Sequence, residues 1–167
     1  MRVEKNQFIK YSELIRPILG DNFISAEHMG STSIEGMFAK PQIDILVVVK
    51  DLDKIKEIYN ELTLKGFVPR GRDYVGIGDE YVTLDSPQGK RLASIHIFQE
   101  GHFRIEEDRL FRDYLSVHNS DKQLYIQIKK DLYAKYKNNY EGYDKGKDDV
   151  LKAIKSRAKK WDELGRI

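Results

Sequence analysis

Seven residues, Ile43 to Val49, constrain this chain more than any others: IDILVVV. β-branched side chains crowd a helical turn but fit a pleated strand, and a nearly unbroken apolar run needs cover on both faces. The run therefore predicts a central strand in a sheet. Asp44 interrupts it. A carboxylate in such a strand loses its hydration unless a cation, hydrogen-bond donors or a metal replaces the water. Residues 42, 44 and 46 share one strand face, so Gln42 and Asp44 project together while Ile43 and Ile45 point the other way. Lys40 and Arg91 are the candidate partners if the acid is purely structural.

The remaining pattern supplies the layers. Residues 5–19 read as a helix striped by Phe8, Tyr11, Leu14, Ile15 and Ile18, with Pro17 predicting an early end or a kink. A short strand at 23–28 leads into Gly30-Ser31-Thr32-Ser33. Residues 51–65 read as a helix capped by Asp51 and stopped by Gly66. Strands are predicted at 67–70, 81–84 and 91–98, and the glycine-rich stretch 71–79 reads as a loop, a flap over a cleft. Three helices are predicted at 105–117, 121–138 and 146–164. Leu124, Ile128, Leu132 and Tyr136 stripe the second, and Leu151, Ile154, Ala158 and Trp161 the third. The order predicts one α/β (α+β) domain: a mixed sheet in residues 1–102, with a helical tail, 103–167, packed on it.

Composition removes several classes of function. There is no cysteine, which excludes a disulfide framework, thiolate chemistry and sulfur-ligated zinc or iron. The longest apolar run is too short to span a bilayer, and the opening MRVEKNQF carries no apolar signal region, so no membrane partner and a cytoplasmic location are expected. Residues 120–167 hold 13 Lys or Arg against 8 Asp or Glu, a net of +5, which leaves −3 for residues 1–119. That tilt fits an anionic ligand approached by the C-terminal segment. No run of like charge and no Arg-rich aromatic patch points to nucleic acid as a partner. No Gly-x-Ser-x-Gly turn, Walker loop or dinucleotide-binding glycine pattern is present.

The turn before the central strand suits phosphate. Gly30 permits close approach, and the hydroxyls of Ser31, Thr32 and Ser33 add donors to the backbone N–H groups. Here the residues carry a resemblance: HMGSTSIEGMFAKPQIDIL resembles the GrpB family, within the nucleotidyltransferase-like superfamily, and the likeness continues in SIHIF, LFRDYL, LYIQIKKDL and YDKGKDDVLKAI. It implies a nucleotidyltransferase-like fold over nearly the whole chain. In that superfamily strand carboxylates hold two metal ions against a nucleoside triphosphate. Asp44 matches the first of them, but the second acid would stand at position 42 or 46, where this chain has Gln42 and Leu46. His96 stands where a third acid is expected. One aspartate does not hold two Mg²⁺ or Mn²⁺ ions. His28, Asp44 and His96 form an alternative set suited to a borderline metal such as Zn²⁺, Mn²⁺ or Fe²⁺.

The helical tail supplies the expected cationic wall. Arg112 in LFRDYL has the fork geometry that grips a carboxylate or phosphate. Tyr125 and Lys129 share a helix face, and Tyr143 and Lys147 repeat the spacing. The expectation is that Gly30, Ser31, Thr32, Lys40, Arg112, Tyr125, Lys129, Tyr143 and Lys147 bind a nucleotide or other anionic small molecule, with Asp44 and His96 catalytic. An enzyme transferring a nucleotidyl group, a non-catalytic binder of the same ligand, and an oligomeric scaffold are the three functions open to this sequence.

Overall fold

The structure is a computed structural model describing residues 3–37 and 41–167; Lys40 lies outside the described residues. By its contacts the chain divides into two compact units, one of residues 3–33 and 41–106, the other of residues 34–37 and 107–167.

The first unit is a mixed five-stranded sheet with helices. Its strands are β1 (Phe23–Met29), β2 (Ile43–Val49), β3 (Phe67–Arg72), β4 (Glu80–Asp85) and β5 (Arg91–Gln99), in the order β1-β2-β5-β4-β3. β2 pairs antiparallel with β1 and parallel with β5; β4 pairs antiparallel with both β5 and β3. The run that reads as a central strand is second from the edge and buried on both faces. Ile43, Ile45, Val47 and Val49 join Ile95, Ile97, Val82 and Phe67 in the main core, covered by Tyr11, Ile15 and Leu19 of helix α1 (Val3–Leu19). Leu46 and Val48 face the other way, packing with Met29, Phe98 and Ile105. Each side chain so buried is worth roughly 1.5–3 kcal/mol over leaving it in water, which leaves β2 able to carry one acid.

Two local expectations change. Helix α1 runs through Pro17 to Leu19 before a 3-10 turn at Gly20–Asn22, because the proline is itself exposed and sits in the last turn, where a lost hydrogen bond is cheap. After β2, Asp51 does cap, accepting from Asp53 N at 2.9 Å, but the chain first winds as a 3-10 stretch, Leu52–Ile58, and becomes α-helical only in α2, Tyr59–Leu64.

The second unit is helical: α3 (Phe103–Val117) contributes all but its first turn, with α4 (Asn119–Lys135) and α5 (Tyr140–Glu163). Its core is Ile34, Tyr114, Leu115, Tyr125, Ile154 and Ala158, with Leu151 and Trp161 at the margin. The stripe predicted for α5 therefore lies on the core side. That of α4 does so only in part: Ile128, Leu132 and Tyr136 are half-buried, with Leu132 and Tyr136 against Gly146 and Gly142 of α5, but Leu124 is 46% exposed and the fully buried residues are Tyr125, Ile126 and Lys129. α5 also begins earlier than predicted, since Asn139 caps it by accepting from Gly142 N at 3.0 Å. Gly142 and Gly146, which look like punctuation, lie inside the helix, where an added Cβ would overlap Tyr136 and Leu132.

Candidate functional site

Asp44 and the Gly-Ser turn are brought into direct contact. β1 runs antiparallel to β2 with Met29 opposite Asp44, so the chain leaves β1 beside the acid and must turn at once. Gly30 makes that turn with φ +68°. A Cβ there would overlap Asp44 Oδ2, so both backbone conformation and space demand glycine. Ser33 closes the following 3-10 turn, Ser31–Ser33, its N–H and hydroxyl both donating to Gly30 O at 3.1 and 2.6 Å. Thr32 is buried with its Oγ1 2.8 Å from His28 Nε2.

Register then shows what else shares the face of Asp44. In the parallel pair Asp44 lies beside Ser94 and Leu46 beside His96; across β4, Ser94 lies opposite Thr83 and His96 opposite Tyr81. This half of the face is tied together. Tyr81 Oη lies 3.0 Å from Ser94 Oγ and accepts from Arg91 Nη1 at 3.1 Å. Arg91 Nε donates to Asp85 Oδ1 at 2.6 Å; Arg70 reaches Asp85 Oδ2 at 3.0 Å and Thr83 Oγ1 at 3.1 Å. Arg91, a candidate partner for Asp44, is thus held by Asp85 and Tyr81. His96 is stacked on Tyr81, centroids 4.9 Å apart, with Nδ1 2.6 Å from Oδ2 of a wholly buried Asp79.

Three of these residues were not legible as site residues. Glu27 pairs with Leu46, which puts a second carboxylate on the Asp44 face from β1; alternation along β1 would have shown it once the register was known. Tyr81 follows in the same way from the β4 register. Asp79 ends the glycine-rich stretch, and nothing in its neighbourhood in sequence marks it. That stretch is no slack flap: Asp73 Oδ1 accepts from Gly78 N at 2.8 Å, and Asp73 N donates to Asp79 O at 2.7 Å.

The set His28, Asp44, His96 is not assembled. His28 pairs with Ile45 and stacks on Phe8 of α1, on the opposite face of the sheet from Asp44, because one step along a strand reverses the side-chain direction. The Nδ1 of His96 is occupied by Asp79. Among the described residues no group of three or more His, Asp or Glu is arranged to hold a metal. Among the described residues the donor set does not fit a two-metal site.

In the helical unit the predicted pairs are formed. Lys129 is buried, its ammonium 5.4 Å from the Tyr125 ring centroid, and Lys147 lies 4.5 Å from that of Tyr143 and 3.4 Å from Asp144. Burial, and then the neighbouring Tyr143 and Asp144, push the Tyr125 phenol well above its ordinary range. Burial likewise raises Tyr143. Arg112 donates to Asp113 at 3.1 Å, and Phe111 meets Tyr125 edge-on.

The GrpB protein family model matches residues 4–157. The UPF0157 protein YqkA of Bacillus subtilis is 32% identical over 154 residues, covering 92% of this chain but 44% of YqkA, so the chain spans less than half of that relative. The crystal structure of the conserved protein GrpB from Enterococcus faecalis superposes with a TM-score of 0.87 at 29% identity, covering 96% of each chain. The structure of Cid1 in complex with the UTP analogue UMPNPP is more distant: TM-score 0.55, 16% identity, 81% of this chain and 42% of Cid1. The likeness to Cid1 shows a shared nucleotidyltransferase fold. The chain belongs to the GrpB family.

Proposed function

We propose that this chain binds a nucleoside triphosphate and transfers its nucleotidyl group to an acceptor hydroxyl. The observation that carries the reading is the Asp44 carboxylate seated against the Gly30 turn, on a sheet face that also bears Ser94, Tyr81 and His96. Gly30, Ser31 and Thr32 are assigned to the phosphate oxygens, Thr32 through its backbone because its hydroxyl lies 2.8 Å from His28 Nε2, and Asp44 and His96 are the catalytic residues. Lys40, outside the described residues, is assigned to the charge of the triphosphate. Arg112, Lys129 and Lys147, the other cations expected for an anionic ligand, lie in the helical unit, where Tyr125 and Tyr143 face the two lysines. Such transfer consists mainly of positioning and charge stabilisation, which suits a site of this composition. The fold shared with Cid1, whose structure holds a UTP analogue, supports the choice of ligand.

A second reading, binding of a nucleotide or another anionic metabolite without turnover, is favoured by one observation: positions 42 and 46 are Gln and Leu, which leaves Asp44 alone among the three residues of that strand face. Calorimetric titration with the four ribonucleoside triphosphates, with and without Mg²⁺ or Mn²⁺, alongside a pyrophosphate-release assay, separates the two. Transfer predicts binding and release, with Asp44→Asn lowering turnover by about 10²-fold or more. Binding without release supports the second reading, and no binding overturns both.

A further inference from the structure

The Asp79–His96 contact is more than a structural ion pair requires. Asp79 is wholly buried, with Oδ2 2.6 Å from His96 Nδ1 and Oδ1 buried with no hydrogen-bond partner among the described residues. A carboxylate taken fully out of water is costly to keep unless a donor meets it. The ring proton of His96 therefore belongs on Nδ1, facing Asp79, which leaves Nε2 as the basic nitrogen. Nε2 has no hydrogen-bond partner among the described residues, and the side chain is 26% exposed, so this nitrogen is open to a ligand.

Both members of the pair are held. Tyr81 stacks on the imidazole at an interplanar angle of 18°, and its own hydroxyl is fixed by Ser94 and Arg91. Asp79 is delivered by a wound loop in which Asp73, Gly76 and Gly78 all take positive φ, 57°, 78° and 76°, and Asp73 binds the backbone of both Gly78 and Asp79. A carboxylate that fixes the tautomer of a histidine is a recurring device for making a general base. His96 also stands two residues beyond Ser94, the neighbour of Asp44, hence about 7 Å along the same face.

We propose that Asp79 is a positioning residue that holds His96 with Nε2 free, and that Nε2 takes the proton of the acceptor hydroxyl. The inference rests on the nucleotidyl-transfer reading for the reaction, though not for the dyad itself. The acceptor oxygen bonds to the α-phosphorus as its proton passes to Nε2. The bond from that phosphorus to the bridging oxygen breaks, and pyrophosphate leaves with the electron pair. His96 thus does the proton work that a third strand carboxylate would otherwise do.

The test is ¹⁵N–¹H correlation of the four histidine rings at alkaline pH, the His96 signals being identified by their loss in His96→Gln. The expected result is the Nδ1–H tautomer in the wild-type protein and its loss or mixing in Asp79→Asn. In the pyrophosphate-release assay Asp79→Asn should lower kcat by about 10²–10⁴-fold with KM for the triphosphate unchanged. His96→Gln, whose amide can still donate to Asp79, should show the same split; it and the wild-type spectrum carry the test if Asp79→Asn does not fold. An Nε2–H tautomer in the wild type, or wild-type kcat in His96→Gln, overturns the proposal. If the wild type releases no pyrophosphate, the transfer reading is lost and the tautomer alone decides the dyad.

Discussion

At the scale of the residue, the contact between Gly30 and Asp44 joins two features that stand fourteen positions apart. Gly30→Ala should destabilise the sheet unit by about 1–3 kcal/mol, from the left-handed backbone and from the collision with Asp44. The two causes separate in a double-mutant cycle. In an Asp44→Ala background the same glycine change should cost less, the remainder being backbone strain, as measured by urea unfolding. Much of this was visible in the sequence. An acid inside an apolar strand declares itself by the hydration it loses, and glycine before a run of small hydroxyl residues declares a tight turn. What no sequence spacing supplies is register. His28 and Glu27 are adjacent, yet only Glu27 shares the face of Asp44, and the choice is made by which residue of β1 pairs with which of β2. Asp79 lay further out of reach, since its meeting with His96 depends on how β3 and β4 bracket a wound loop.

Among elements, an ionic junction ties together all three helices of the helical unit. Tyr114 of α3 donates to Asp121 of α4 at 2.5 Å, and Arg157 of α5 forks onto the same carboxylate at 2.8 and 2.7 Å. The Arg157 hydrogen bonds, helped by Tyr114, hold the Asp121 carboxyl below its ordinary value. A group whose folded value is depressed gives stability that is fully present above its unfolded value and is lost as pH falls through the folded one. Stability of the helical unit should therefore decline in acid, and Asp121→Asn should flatten that decline, as urea melts followed by circular dichroism at a series of acidic pH values would show. The three helices themselves were legible from their periodicity. The inward face of α4 was legible only in part, because Leu132 and Tyr136 do pack against α5 while Tyr125 and Lys129, a phenol and an ammonium, carry the burial that a hydropathy stripe gives to Leu124. The start of α5 was missed for a related reason: glycine there serves the close approach of Tyr136 and Leu132 rather than a break in the helix.

At the scale of the whole molecule, two units each own a core, one centred on Ile45 and Ile95, the other on Leu115 and Ile154. Ile154→Ala should cost about 2–5 kcal/mol. Amide hydrogen exchange should quicken across residues 107–167 while the strands of the sheet stay slow, and Ile95→Ala should do the reverse. Equal acceleration everywhere would show a single cooperative block instead. The parallel pairing of β2 with β5 has a consequence for biosynthesis. A ribosome that has delivered the chain only as far as residue 90 has already released the β1–β2 hairpin and its acid. The flank of β2 that will receive β5 is then a bare apolar ribbon, open to any other extended chain nearby. The segment that shields this strand is also the one that brings Ser94 and His96 to Asp44. Protection from aggregation and assembly of the candidate site are thus a single folding event.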